Sequence, residues 1–183
     1  MIDSTQAAEA LADIDDIVRR VRQSQLYQLA SLAALWWGAL VFAGNLITWL
    51  WPAYAGYAWP AVDILGVGGL AAIRLLTPRQ PHAASFDLRL LLVFALFFAF
   101  GNLCTSVIGD FGPRQLGAFW PIYFMLFYTL AGLWFGTAFV AIGLGITALT
   151  LIGFFYIGEA FPLWMAFVNG GGLIVGGLWM RRG

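Results

Sequence analysis

The chain has 183 residues, 62% hydrophobic and 10% charged, with a formal net charge of zero. Soluble domains run nearer ~45–50% apolar and ~25% charged, so the solvent for most of this sequence is lipid, and no basic nucleic-acid surface is present. Cys104 is the only cysteine and His82 the only histidine, which excludes an intrachain disulfide, a multi-cysteine metal or iron–sulfur site and a haem held by two histidines of this chain.

Residues 1–28 form the one sizeable polar segment. Leu11, Ile14, Val18 and Val21 recur at three- and four-residue steps, which predicts an amphipathic helix with Ser4 or Thr5 as its cap. Acids come first (Glu9, Asp13, Asp15, Asp16) and cations last (Arg19, Arg20, Arg22), the order the helix dipole favours. The i,i+4 pairs Asp15–Arg19 and Asp16–Arg20 contribute only ~0.3–0.5 kcal/mol each. Pairs that weak cannot hold an isolated helix, so the apolar stripe needs a surface: the membrane, the chain's own bundle or a protein partner. Leu11, Ile14, Val18 and Val21 are the candidate partner-binding residues. The long acidic start and the length of the following apolar run are unlike a secretory signal peptide.

Residues 29–183 read as a six-helix transmembrane domain, with spans expected at 32–51, 57–76, 89–109, 117–135, 138–157 and 161–180. About 20 apolar residues at 1.5 Å each cross a ~30 Å hydrocarbon layer. The second span is the weakest, because Asp63 offsets most of what its aliphatic residues gain on insertion. Phe119 to Ile157 is unbroken apolar sequence, about two spans long, and Gly136-Thr137 is its natural turn. With six spans, Arg19, Arg20, Arg22, Arg74, Arg79, Arg89, Arg181 and Arg182 fall on one side and Arg114 alone on the other, which puts both termini in the cytoplasm. All nine cations are arginine, a bias of GC-rich bacterial genomes, so the expected location is a bacterial inner membrane. Trp49, Trp51, Trp59, Trp120 and Trp164 at the outer ends, and Trp36, Trp37, Trp134 and Trp179 at the inner ends, read as two interfacial belts.

Short similarities suggest three tandem hairpins of one design. Gly44-Asn45-Leu46-Ile47-Thr48 returns as Gly101-Asn102-Leu103-Cys104-Thr105, and more loosely as Gly143-Leu144-Gly145-Ile146-Thr147. The partner spans open with Trp59-Pro60, Trp120-Pro121 and Phe161-Pro162, where proline suits a first helical turn. Gly132-x-x-x-Gly136, Gly172-x-x-x-Gly176 and Gly68-x-x-x-Ala72 are close-packing faces that serve folding within the chain or a homo-oligomer between chains; intrachain use is the reading adopted. In plan, six short helices in three hairpins with both ends cytoplasmic resembles the HdeD-type acid-resistance membrane proteins. That resemblance implies an all-α membrane bundle, and no site or activity is carried over from it.

Depth counting singles out one polar layer. Asp63, Asn45, Asn102 and Asn169 each lie about six to eight residues from the outer end of their span, with Thr48 and Thr105 one turn further out. An ionisable group in a span faces the bundle interior or a wet cavity. These six residues are the candidate ligand-binding set, a vestibule for a cation, proton or small polar solute; the competing reading is that the amides only join helices. Cys104 reads as a core packer, His82 as a solvated loop residue, and Asp110–Arg114 as an exposed ion pair of little weight. No Ser/His/Asp set, His-x-x-x-His, paired aspartates or phosphate-cradling glycine loop appears, so no catalytic residue, metal or cofactor is assigned. The expectation is an all-α, non-enzymatic membrane protein, an accessory, sensor-like or scaffold subunit that contacts the bilayer and a partner at its N-terminal helix. The alternative is a small transporter or channel using the Asp63 layer.

Overall fold

The structure, a computed structural model, describes residues 4–76 and 88–182. All regular structure among them is helical: α1 (Ser4–Leu50), a 3-10 turn (Pro52–Tyr54), α2 (Ala55–Leu76), α3 (Leu88–Val107), α4 (Pro113–Phe135), α5 (Thr137–Tyr156), α6 (Phe161–Met165), a π-helical segment (Ala166–Gly171) and α7 (Gly172–Arg182). Five stretches are long and apolar enough to cross a membrane: Tyr27–Leu50, Pro52–Ile73, Pro113–Phe135, Thr137–Tyr156 and Phe161–Arg182. Ala95–Val107 of α3 is a shorter apolar segment. The chain is therefore a multi-pass membrane protein built as a helical bundle.

Two features depart from the sequence expectation. The amphipathic segment and the first span are one uninterrupted helix of 47 residues, with no break near residue 28. No proline or glycine falls between Ser4 and Trp37, and nothing else in that stretch stops helix propagation. The second concerns the aromatic–proline pairs. Pro162 does stand in a first helical turn, whereas Pro60 and Pro121 lie inside α2 and α4. Those two helices begin further out, and Pro113 takes the first-turn position of α4. Each internal proline has a glycine four residues earlier, Gly56 and Gly117, at the carbonyl its ring would crowd.

The last span is the centre of the bundle. A Cβ added at Gly170 would lie 2.6 Å from the backbone N and Cα of Phe42, and one at Gly38 would lie 2.9 Å from the Gly170 carbonyl. One added at Gly177 would lie 3.0 Å from the Ser31 carbonyl, so α1 and the last span run antiparallel with their backbones in contact. On its other side the span receives α5: a Cβ at Gly176 would sit 2.6 Å from Ile142 Cδ1, and one at Gly172 3.0 Å from Ile146 Cγ1. Gly172-x-x-x-Gly176 is thus used within the chain. Lipid tails are as apolar as the side chains they would replace, so this close approach holds the helices together through dispersion rather than a hydrophobic drive.

The remaining helices hang on this centre. α4 and α5 form a tight hairpin, with Gly132 against the backbone of Val140 and Gly143 against the Met125 carbonyl. Their turn is the single residue Gly136, at φ 132°, a conformation that favours glycine. α2 leans on α1, where Val62 meets Gly44, Trp37 covers Gly66 and Trp36 Nε1 donates to the Leu65 carbonyl at 3.1 Å. α3 is held to α4 by rings: Phe97 stacks on Tyr123 at 4.0 Å, Phe98 on Trp120 at 5.2 Å, and the Tyr123 hydroxyl donates to the Phe97 carbonyl. Trp36, Trp37 and Trp164, expected in the interfacial belts, lie between helices, with Trp164 Nε1 donating to the Leu149 carbonyl at 2.9 Å. Gly68 and Ala72 are exposed, and a Cβ added at Gly68 would meet open space.

Substituting Gly170 by Ala should lower stability by about 1–3 kcal/mol, the usual cost of forcing a group into a packed interface. Gly145→Ala, where a Cβ meets open space, should be neutral or gain up to about 1 kcal/mol from helix propensity. Thermal unfolding of the two variants in detergent separates these outcomes.

Candidate functional site

In hydrocarbon a polar side chain needs a partner, and the cheapest is the carbonyl one turn back on its own helix. That is where the polar layer goes. Asn45 Nδ2 donates to the Val41 carbonyl at 2.9 Å, Thr48 Oγ1 to Gly44 at 2.8 Å, and Asn102 Nδ2 to Phe98 at 2.9 Å. Thr105 Oγ1 shares the carbonyls of Gly101 and Asn102. These donors are satisfied locally, so they do not tie one helix to another.

The structure divides the predicted layer. Asn45 and Asn169 are buried, at 6% and 7% exposed. Antiparallel packing brings their helices together, since Phe42 backs onto Gly170. Asn102 is exposed on α3, which packs on α4. Asp63 is half-buried on α2, next to Val62 at the α1 contact. Thr48 and Thr105 are half-buried. A residue that sequence reading passed over joins the buried pair: Thr150 of α5, fully buried, whose Oγ1 has no hydrogen-bond partner among the described residues. Ile142 faces Gly176 and Ile146 faces Gly172, so the next turn of α5 brings Thr150 level with the π segment that carries Asn169. Its sequence signal is weak, since α5 carries three threonines, Thr137, Thr147 and Thr150, and nothing in the sequence marks which of them is buried.

The strongest polar constellation lies elsewhere and centres on Arg114. Its guanidinium donates to the carbonyls of Gly158 at 2.8 Å and Phe154 at 2.6 Å, and also to Ile157. It stacks over the rings of Phe154 and Phe161 at 5.4 and 5.0 Å. The last carbonyls of a helix have no partner within it, and the C-terminal end of the dipole is negative. Arg114, entering from the first turn of α4, therefore caps α5 and fixes the turn into the last span. The expected Asp110–Arg114 ion pair is absent among the described residues: Asp110 is exposed and the arginine is committed to carbonyls. Beneath this cap, Ala118, Phe161 and Met165 close a small core over the buried polar residues.

Between α4 and α5 a membrane-facing groove of about 330 Å³ is lined by Phe119, Ile122, Tyr123, Leu126, Thr129, Leu144 and Thr147. Of its polar lining, Thr129 Oγ1 donates to the Met125 carbonyl at 2.8 Å within α4, and the Tyr123 hydroxyl is taken by the Phe97 carbonyl of α3. Of the candidate partner-binding residues, Ile14 and Val21 are exposed at 55% and 50%, joined by Ile17 at 61%. The side chains of Leu11 and Val18, and His82 as a whole, lie outside the described residues.

No family model, curated protein or solved structure matches the chain.

Replacing Arg114 by Met removes the donors while keeping an apolar stem between Phe154 and Phe161. It should cost about 1–3 kcal/mol for the carbonyls left unpaired. Arg114→Lys should recover part of that, because an ammonium reaches fewer carbonyls and stacks less well. Midpoints of thermal unfolding for the three proteins in one detergent test the order.

Proposed function

We propose that this protein is a non-enzymatic membrane scaffold or accessory subunit of a bacterial inner membrane, with both termini cytoplasmic, that presents its N-terminal helix to a partner. The supporting observation is the continuity of α1. Its 47 residues extend about 70 Å at 1.5 Å per residue, against roughly 30 Å of hydrocarbon. The apolar span is Tyr27–Leu50, so Ser4 to Leu26 stands clear of the bilayer as a rigid continuation of a buried helix. Ile14, Ile17 and Val21 are exposed on it. An isolated helix of that length is marginal in water, and propagation from a membrane-anchored helix removes the nucleation cost. In this reading the chain threads the membrane six times in three hairpins, and arginine retention sets the direction. Arg114 favours that direction: it is the one outer arginine, and its charge is absorbed by carbonyls.

A second reading, a small transporter for a cation, proton or small polar solute, draws on the π segment beside buried Asn45, Asn169 and Thr150. π-helical turns recur at functional sites, and buried polar side chains in spans line pathways. Asp63 belongs to this reading only if its half-buried carboxyl is wetted from the outer side.

Two measurements separate the readings. Ile14→Gln combined with Val21→Gln should abolish co-purification of a partner from native membranes while moving stability by less than about 0.5 kcal/mol, as exposed substitutions do. Retention of every partner by the double variant would refute the scaffold reading. In liposomes, a flux removed by Asp63→Asn or Thr150→Val would establish the transporter instead.

A further inference from the structure

The arginine-rich end of the last span carries a recess that neither reading of function uses. About 220 Å³ in size, it is lined among the described residues by Val175, Leu178, Trp179 and Arg182. These positions are spaced three and four residues apart, so they share one face of α7. All four are exposed, Val175 at 67% and Trp179 at 52%. The polar part of the lining is at one end only: Arg182 closes the last turn of the span, and the three apolar residues run back from it into the membrane.

From this arrangement we infer that the recess binds one anionic phospholipid, its phosphate on Arg182 and an acyl chain along Leu178 and Val175. The order of chemistry along the face matches the order along a lipid molecule. A guanidinium forks onto phosphate oxygens through two N–H donors. Trp179 sits where an amphipathic ring prefers to be, at headgroup level beside the glycerol region. Val175 and Leu178 lie one to two turns deeper, where only hydrocarbon is available. Arg182 also stands at the negative end of the helix dipole, so its charge is held in place independently of any ligand. A second copy of the chain is the less suitable occupant, because a two-fold contact through this face would set Arg182 of one chain near Arg182 of the other. Arg181 is equally exposed but does not line the recess, which makes it the natural control.

The test uses the full chain purified in a non-ionic detergent, with retained lipid counted by native mass spectrometry against added phosphatidylglycerol or phosphatidylcholine. The wild-type chain should retain phosphatidylglycerol in preference to phosphatidylcholine. Arg182→Gln should weaken that retention by about fivefold, the effect of one arginine facing an anionic headgroup. Arg181→Gln should weaken it less. Val175→Trp fills the recess at an exposed position and keeps every charge, and it should weaken retention as much as Arg182→Gln. Equal retention of the two lipids would overturn the proposal. So would equal losses in Arg181→Gln and Arg182→Gln with Val175→Trp unchanged, which would mean diffuse attraction to a charged surface. A dimer in the same spectra that Val175→Trp dissociates would place a second copy there instead.

Discussion

The bundle depends on one contact: the backbone of α1 resting on the backbone of the last span, at Gly38 and Phe42 against Gly170 and Ile174. Lipid removes the usual reason for helices to associate, since a leucine gains nothing by leaving acyl chains for another leucine. What remains is the density of contact, and density is greatest where no Cβ stands between two backbones. The glycines of the last span lie on more than one face: Gly170 and Gly177 serve α1, while Gly172 and Gly176 serve α5. A regular α-helix turns 100° per residue and would tie those faces to one fixed phase. The π segment at Ala166–Gly171 resets the phase between α6, which Trp164 joins to the Leu149 carbonyl, and α7, which α1 and α5 enclose. The run Gly170-Gly171-Gly172 is therefore both the packing surface and the place where the helix changes pitch.

Polar groups in the spans follow a second rule, satisfaction within the element. Asn45, Thr48, Asn102, Thr105 and Thr129 each donate to a carbonyl on their own helix. Such bonds make a polar residue tolerable in lipid without making it a link between helices. The links come from groups with longer reach: Trp36 to Leu65, Trp164 to Leu149, Tyr123 to Phe97, and Arg114 to the end of α5. Three of these four donors are aromatic, which fits the cost of burial. An indole or phenol takes one donor into the membrane on a large apolar body, and a carbonyl that already accepts a helical bond has a lone pair to spare.

Much of the architecture was legible from residue type alone. Apolar runs of bilayer length gave five of the six expected spans, the third appearing as the shorter apolar stretch Ala95–Val107 of α3. Gly136-Thr137 located the turn between α4 and α5 to the residue, because a positive φ there favours glycine. Gly172-x-x-x-Gly176 was legible as a packing face for the same steric reason. Depth counting placed Asn45 and Asn169 at one level, and the fold does bury both. It could not say which helices are neighbours, so it grouped with them Asn102, which lies exposed on α3 against α4, and left out Thr150. Arg114 was misread for a related reason. Four residues from Asp110 it suggests an ion pair, yet the carbonyls that claim it lie about forty residues away in the chain, and backbone acceptors leave no mark in sequence. The helix starts were hidden as well, since proline marks a first turn only when the residues before it cannot extend the helix.

The continuity of α1 joins the interior of the bundle to whatever meets the protein outside the membrane. A domain on a flexible linker would move independently of the spans, but an unbroken helix transmits rotation and tilt along its length. The transmembrane part of that helix presents Ser31, Ala34, Gly38, Val41 and Asn45 inwards, at steps of three and four residues. Continued outward, that face passes Tyr27, whereas the exposed Ile17, Val21 and Ile14 lie progressively further round, about 80–140° from its centre at 100° per residue. The exposed apolar stripe is thus offset from the direction in which α1 meets the last span. A partner lying in that stripe would grip α1 from the side without covering the last span, and any turn it imposed on α1 would be felt first at the glycine contact. Gly170 on Phe42 leaves no room for a Cβ between the two backbones, and it is such a contact that a torque on the N-terminal helix would load.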